Sequence, residues 1–206
     1  MKHRLLIVTL NGDPLVDLGS EHAGGQCKYV LELSKNLILQ GWHVHVVTLA
    51  GAARPEEETV TYGFTISRIK RPTGREYGYD ISENEIADIG AELNERLRGD
   101  VLGFRAILAC YWVSALAAIP LAKSRGWPLV ITFCQLAQFK MAADSSPQVA
   151  RRAEIEADLG RRCHAVIATN RSEAVTLTEV YGIDRKKIHV IPRGVDLTLF
   201  SDIEPI

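Results

Sequence analysis

The sequence predicts an α/β protein with a Rossmann-like, doubly wound and mostly parallel sheet. A continuous apolar run from Leu5 to Leu10 is typical of a strand that is covered on both faces. Gly24-Gly25 precedes a helical pattern that Gly41 ends, and Val44 to Val47 forms the next apolar run. This strand–helix–strand unit implies a right-handed crossover and parallel pairing. Strand and helix patterns then alternate along most of the remaining chain, which favours a doubly wound sheet.

The later elements follow from residue type and periodicity. β-Branched and aromatic residues around Gly63 predict a hairpin or two short strands within Thr59–Lys70, and Glu83–Arg98 reads as an exposed amphipathic helix. The alternation then predicts a strand at Ala106–Ala109, a helix at Ser114–Lys123, a strand at Leu129–Phe133, a helix at Val149–Arg162, a strand at Ala165–Ala168, a helix at Ser172–Tyr181 and a strand at Ile188–Ile191. We expect a mobile loop at Lys140–Pro147.

Composition narrows the class of protein. The chain has 206 residues, which is ample for one core and tight for two domains, and 47% of them are hydrophobic. The formal net charge of -1 gives no global attraction to nucleic acid, and we expect no membrane span because no apolar run is long enough. The four cysteines are widely spaced without a Cys-x-x-Cys pair, so we expect a cytoplasmic protein without a zinc ribbon or disulfide framework.

Candidate site residues lie where the predicted strands end, because ligands of open parallel sheets bind beyond the carboxyl ends of the strands. These positions are His22, Gly24, Gly25, Gln26, Cys110, Tyr111, Trp112, Cys134, Gln135, Arg193, Gly194, Val195 and Asp196. A glycine pair before a helix favours a phosphate or hydroxyl ligand at the helix N-terminus, although the pair is equally compatible with a simple tight turn. The Gly-x-Gly-x-x-Gly fingerprint is absent, which argues against a dehydrogenase.

The aromatic and basic candidates also have simpler interpretations. Trp112 is better explained as a core residue, whereas Tyr111 at a strand end can present its hydroxyl to a polar ligand. Lys140, Arg151 and Arg152, taken alone, are explained by a solvated surface.

Five segments together resemble a large family of retaining glycosyltransferases that includes sucrose-phosphate synthase, bacterial glycogen synthases and mycothiol-pathway enzymes. The segments occur in the family's order and cover essentially the whole chain. They are Gly24–Leu33, Ala109–Ser114, Pro128–Lys140, Arg152–Glu154 with the following strand, and Ile191–Phe200. The last resembles the family's Pro-Gly-Val-Asp-x-x-x-Phe signature, and the first its Gly-Gly-Gln loop.

The resemblance implies the N-terminal, acceptor-side half of a GT-B type fold, with residues 1–199 as this domain and 200–206 as the start of an interdomain linker. It implies transfer of a hexose from a nucleoside diphosphate sugar to a sugar or other hydroxyl acceptor, without a cofactor or metal. A C-terminal domain, on the same or a separate chain, would hold the donor. The alternative is a non-catalytic sugar- or nucleotide-binding partner of the same fold.

The resemblance also assigns site residues. Cys134 stands at the family's histidine position and is the catalytic candidate. The substrate-binding candidates are Gly24, Gly25, Gln26, Tyr111, Gln135, Lys140, Arg152 and Asp196. Lys140 and Arg152 are expected to form an anion clamp for a charged acceptor.

Two residues depart from the family pattern. Cys110 and Cys134 replace histidines, and a thiol cannot supply the charge or reach of an imidazole. Three interpretations stay open for the two thiols: inert small side chains, which we favour, a disulfide, or a reactive thiolate.

Overall fold

The computed structural model describes residues 3–17, 19, 24–51, 54–73, 81–141, 144 and 146–194. Within these ranges the strands are β1 (Arg4–Val8), β2 (His43–Leu49), β3 (Glu57–Thr61), β4 (Phe64–Ile69), β5 (Ala106–Cys110), β6 (Leu129–Thr132), β7 (Ala165–Ala168) and β8 (Ile188–Val190). The helices are α1 (Gly25–Leu39), α2 (Glu83–Arg96), α3 (Trp112–Arg125), α4 (Gln138–Met141), α5 (Pro147–Arg162) and α6 (Arg171–Glu179). A 3-10 turn at Arg185–Lys187 precedes β8.

The strands form one sheet in the order β3-β4-β2-β1-β5-β6-β7-β8. Neighbouring strands are parallel except for the β3–β4 pair, which forms the predicted hairpin. From β1 the chain moves to β2 on one side, and β5 later pairs with β1 on the other side. This reversal of strand order makes the β1–β5 boundary the topological switch point, where open α/β sheets bind ligands.

The core has two parts, one on each face of the sheet. On one face, Val30 of α1 packs with Ile7, Val46 and Leu108. On the other face, α2, α3, α5 and α6 pack against the opposite side chains of the same strands. Successive right-handed crossovers from β5 to β8 all run in one direction, which places their helices on a single face, whereas the β1–β2 crossover places α1 on the other.

Local sequence explains several helix boundaries. Ser82 and Asn170 begin α2 and α6 as caps, with each side-chain oxygen accepting a hydrogen bond from the amide three residues ahead. Gly126 ends α3 in the left-handed conformation, with φ 66°. Pro147 is the first residue of α5, a position where the missing amide hydrogen has no consequence.

The predicted strands and helices are confirmed, with shifts of a few residues at their ends. One prediction was incomplete: part of the loop expected at Lys140–Pro147 is helical, because α4 covers Gln138–Met141. A single helical turn is too short to give a clear periodic pattern in sequence. None of the helices in the described ranges has the length and apolar character that crossing a bilayer requires.

Candidate active site

The N-terminus of α1 lies over the switch point, and Gln26 holds it there. Gln26 Nε2 donates to Thr9 Oγ1, just after β1, at 2.9 Å, and to the carbonyl oxygen of Cys110, at the end of β5, at 3.3 Å. One side chain therefore joins the first turn of α1 to the two strands that flank the switch point. This role ties up the amide nitrogen of Gln26, so the structure gives this predicted substrate-binding residue a positioning function.

The glycine pair leaves open space at this position. Gly24 has φ -146° and ψ 165°, an extended conformation open to any residue, and Gly25 begins the helix. Among the described residues, a methyl group on Gly24 would meet no atom within 4 Å, and one on Gly25 would meet only Arg193 Nη1, at 3.8 Å. In the part of the chain that the structure describes, no side chain caps α1, and its first turn carries no acidic residue, an arrangement that favours an anionic ligand at its amides.

Two residues with strained backbones stand at neighbouring strand ends. Tyr111, after β5, has φ 79° and ψ 156°, and Cys134, just beyond β6, has φ 62°. A positive φ is unfavourable for residues other than glycine, and residues held in such conformations cluster at functional sites. The turn at Cys134 is closed by a hydrogen bond from the Gln135 amide to the Phe133 carbonyl at 2.6 Å. Both candidate residues thus lie in turns with unusual backbone conformations at the carboxyl edge of the sheet.

Cys110 is the last residue of β5 and Cys134 lies just beyond β6, so the two cysteines stand at the ends of adjacent strands, as the sequence predicted, and both are free thiols. The disulfide interpretation is therefore wrong for this structure. Burial raises the pKa of the Cys110 thiol well above its usual range. Burial also raises the pKa of Cys134, against the opposing charge of Arg193. Both directions argue against a thiolate at neutral pH and favour the small, neutral side chains that we expected.

We therefore predict slow, pH-limited alkylation of Cys134. With its pKa raised, Cys134 is predominantly a neutral thiol at pH 7, so the rate of iodoacetamide labelling should be low at pH 7 and should rise steeply from pH 7 to 9. Labelling is followed by intact-mass spectrometry, and Cys134→Ser serves as the control. Complete modification of Cys134 at pH 7 at the rate of an exposed free cysteine would show a reactive thiolate instead.

Arg152 lies in a buried hydrogen-bond network rather than at an open surface. Its Nε donates to Glu156 Oε1 at 2.7 Å, its Nη2 donates to the Gln135 carbonyl, and its guanidinium stacks 4.7 Å from the centre of the Tyr111 ring. These contacts hold the turn after β6 and the aromatic ring after β5 together. The structure therefore shows how Arg152 supports Gln135 and Tyr111, while its contact with a substrate stays a prediction.

Glu156 is the centre of this network and is fully buried. Its Oε2 accepts hydrogen bonds from the Ala137 amide at 2.8 Å and from the Tyr181 hydroxyl at 2.7 Å. Burial raises the pKa of Glu156, and Arg152, the Ala137 amide and Tyr181 act in the opposite direction. The sequence gives no sign that Glu156 is buried, because charged residues along a helix usually form its solvated face.

The remaining candidates divide into exposed and undescribed residues. Gln135 and Lys140 are exposed beyond β6, with Lys140 on α4. Asp196 and the proposed linker, like His22, lie outside the described residues. Arg193 follows β8, and sequence reasoning placed it at a strand end without assigning it a role. Within the described ranges, no three His, Cys, Asp or Glu side chains gather in a way that could hold a metal ion.

A mostly parallel sheet whose strand order reverses at β1, with the N-terminus of α1 over the reversal, defines a Rossmann-like domain. Residues 23–199 match the model of Glycosyltransferase Family 4, and the chain belongs to this family. The resemblance drawn from the five sequence segments is therefore confirmed.

Comparisons with individual proteins agree with this assignment. The chain is 30% identical over 211 residues to a D-inositol 3-phosphate glycosyltransferase of Xylanimonas cellulosilytica, covering 98% of this chain and 50% of that protein. The fold is similar to sucrose-phosphate synthase from Thermosynechococcus elongatus, with a TM-score of 0.83, 22% identity, and coverage of 96% and 50%. It is also similar to the Anabaena protein HepE in complex with UDP-glucose, with a TM-score of 0.60, 15% identity, and coverage of 96% and 45%. The chain thus spans about half the length of these proteins, and the predicted fold class is confirmed.

Proposed function

We propose that this chain is the acceptor-side domain, residues 1–199, of a two-domain retaining glycosyltransferase that acts in the cytoplasm. It would move a hexose from a nucleoside diphosphate sugar to a hydroxyl acceptor. The observation that carries the proposal is the Gln26 bridge, which fixes the N-terminus of α1 over the switch point, where no described side chain caps it. UDP-glucose in the HepE complex supports the donor class, and the inositol phosphate named for the relative supports a phosphorylated polyol as acceptor.

We divide the candidate residues into a donor side, an acceptor side and Asp196. The main chain at Gly24 and Gly25 approaches the donor's diphosphate at the helix N-terminus. Exposed Gln135 and Lys140 line the acceptor side, with Tyr111 and Arg152 behind them; Asp196 is proposed from the sequence signature alone. A second domain, on the same or a separate chain, would hold the rest of the donor.

The reaction requires one bond to break and one to form. The bond between the sugar's anomeric carbon and the phosphate oxygen breaks, and its electron pair stays on the departing diphosphate. The acceptor hydroxyl oxygen bonds to the anomeric carbon, and its proton passes to the departing phosphate. Fixed amide dipoles and basic side chains stabilise the charge that grows on the diphosphate, so the proposal needs no metal or cofactor.

The second candidate function is a non-catalytic binding partner of the same fold. The observation that favours it is Cys134, a neutral thiol at the position of the family's histidine. The two candidates make opposite predictions for the restoration of that histidine.

In the protein combined with a complete second domain, Cys134→His is expected to raise sugar transfer by roughly tenfold or more, because a positioned imidazole interacts with the reacting sugar. The backbone accommodates this change, since histidine adopts positive φ more readily than most residues and Cys134 has φ 62°. Transfer to an inositol phosphate from UDP-glucose measures the effect.

Cys134→Ala is the matched control and should leave transfer unchanged. A lower rate with Cys134→His would show that the cysteine itself has a role. No transfer by any variant, together with retained donor binding, would support the non-catalytic partner.

A further inference from the structure

Arg193 reaches back across the carboxyl edge of the sheet. The Ile191 amide still donates to the Ala168 carbonyl of β7 at 2.9 Å, yet two residues later the guanidinium of Arg193 lies 5.0 Å from the centre of the Tyr29 ring on α1. Its Nη1 also lies 3.8 Å from the point that a side-chain methyl group at Gly25 would occupy. A residue that follows the last strand therefore places its positive charge at the first turns of the first helix.

The charge of Arg193 is not neutralised within the described part of the chain, where no carboxylate oxygen lies within 4.0 Å of its guanidinium nitrogens. The carboxylate on this edge that acts on Cys134 is Glu173. Glu173 is buried, and its Oε2 accepts hydrogen bonds from the Thr169 amide at 2.7 Å and hydroxyl at 2.6 Å. Glu173 is thus engaged with its own helix start, while the guanidinium of Arg193 lies beside Gly25 and the Tyr29 ring.

The charge of Arg193 acts on the pKa values of two neighbouring side chains, Tyr29 and Cys134. Burial raises the pKa of Tyr29 to about 12, with Arg193 acting in the opposite direction. Arg193 also opposes the raised pKa of Cys134, through its charge and through a hydrogen bond. The guanidinium therefore stands between the helix N-terminus and the position where the family carries a histidine.

We propose that Arg193 binds the sugar-linked phosphate of the nucleoside diphosphate donor, together with the first turn of α1. A guanidinium presents donors in a fork that matches two phosphate oxygens, and the helix N-terminus adds partial positive charge to the same space. Arg193 thereby supplies the cation that Cys134 cannot provide at this edge. This inference rests on the proposed function, since it assigns the donor's diphosphate to the site.

The 206-residue chain itself allows a test with inorganic pyrophosphate, followed by ¹H–¹⁵N NMR. Pyrophosphate should shift the amide signals of Gly25 and Gln26 and the Nε signal of Arg193. Arg193→Gln should weaken this binding roughly tenfold, because a charge-assisted pair is lost, and Arg193→Lys should weaken it less. Exposed Arg171 provides the matched control, and Arg171→Gln should bind as the wild type does.

The outcomes separate this inference from the proposed function. Unchanged affinity in Arg193→Gln, with the α1 shifts retained, would overturn the role of Arg193 and leave the donor placement intact. No shift at Gly25 and Gln26 in any variant would overturn both. An inositol phosphate that binds as tightly, with the same dependence on Arg193, would assign the site to the acceptor and overturn the donor assignment.

A second measurement does not depend on a ligand. Because Arg193 opposes the raised pKa of Cys134, Arg193→Gln should slow the alkylation of Cys134 at pH 8. Arg171→Gln should leave that rate unchanged. An unaltered rate in Arg193→Gln would show that the guanidinium does not lie over the thiol, which would overturn the geometry behind the proposal.

Discussion

Glu156→Ala is expected to lower the free energy of unfolding by about 3–5 kcal/mol. The substitution removes the carboxylate that accepts hydrogen bonds from Arg152, the Ala137 amide and the Tyr181 hydroxyl. All three donors then remain buried without this acceptor. Breaking one side of a buried ion pair is costly because the remaining charge loses its partner but does not regain water. Urea denaturation at pH 7 measures the change.

Glu154→Ala is the matched control, on the same helix and of the same residue type. The side chain of Glu154 is 70% exposed, and its ion pair in the described part of the chain is with Arg151 at 3.3 Å, so its loss should change stability by no more than about 0.5 kcal/mol. Tyr181→Phe removes one donor and should cost roughly 1–3 kcal/mol. If the Glu156 and Glu154 variants unfold at the same urea concentration, the network does not stabilise the domain.

The same network bears on the site, since it holds the turn that carries Cys134 and Gln135. Arg152 donates to the Gln135 carbonyl and stacks on Tyr111, so loss of Glu156 frees both strand ends from one support. We therefore expect substrate-side residues to lose order before the sheet itself unfolds in this variant. Hydrogen exchange at the Ala137 amide reports that local change.

Asp13→Ala is expected to cost about 3 kcal/mol of stability. Asp13 and Arg68 are both buried, and Arg68 Nε donates to Asp13 Oδ2 at 2.5 Å. The expected loss lies at the low end for a broken buried pair because Arg68 keeps Glu58 at 2.9 Å and the Pro55 carbonyl at 2.9 Å. Thermal or urea unfolding measures the effect.

Asp17→Ala is the control for this pair. Its side chain is 96% exposed and lies 3.9 Å from Arg54, so the substitution should be nearly neutral. The double variant Asp13→Ala with Arg68→Met should recover part of the loss, because it also removes the buried guanidinium that has lost its Asp13 partner. A double variant less stable than Asp13→Ala would show that Arg68 stabilises the loop through its other contacts.

The order of strands and helices could be predicted from the sequence because it depends on local patterns. Apolar runs such as Leu5–Leu10 and the helical spacing before Gly41 are set within a few residues of chain. The same reasoning placed Cys110 and Cys134 at the ends of adjacent strands, because a single crossover separates those strands. The five ordered segments were then sufficient to identify the family.

Side-chain directions could not be predicted in this way. In the sequence, Arg152 and Glu156 resemble part of a solvated helix face. In the structure both are buried, because this face of α5 packs toward the turn that follows β6. Only the assembled sheet brings Gln26 to both β1 and β5. Such contacts join residues far apart in the chain, and their geometry depends on how whole elements pack.

By itself, the sequence determined the fold class and the family, and it predicted the edge of the sheet at which we propose the site. The tertiary structure decided which of the edge residues support the site and which face open space. Arg193 shows the physical reason: its position after the last strand is visible in the sequence, but its 5.0 Å approach to Tyr29 depends on a chain path across the edge of the sheet. No local pattern encodes that path, because it is fixed only when the strands between β1 and β8 are in place.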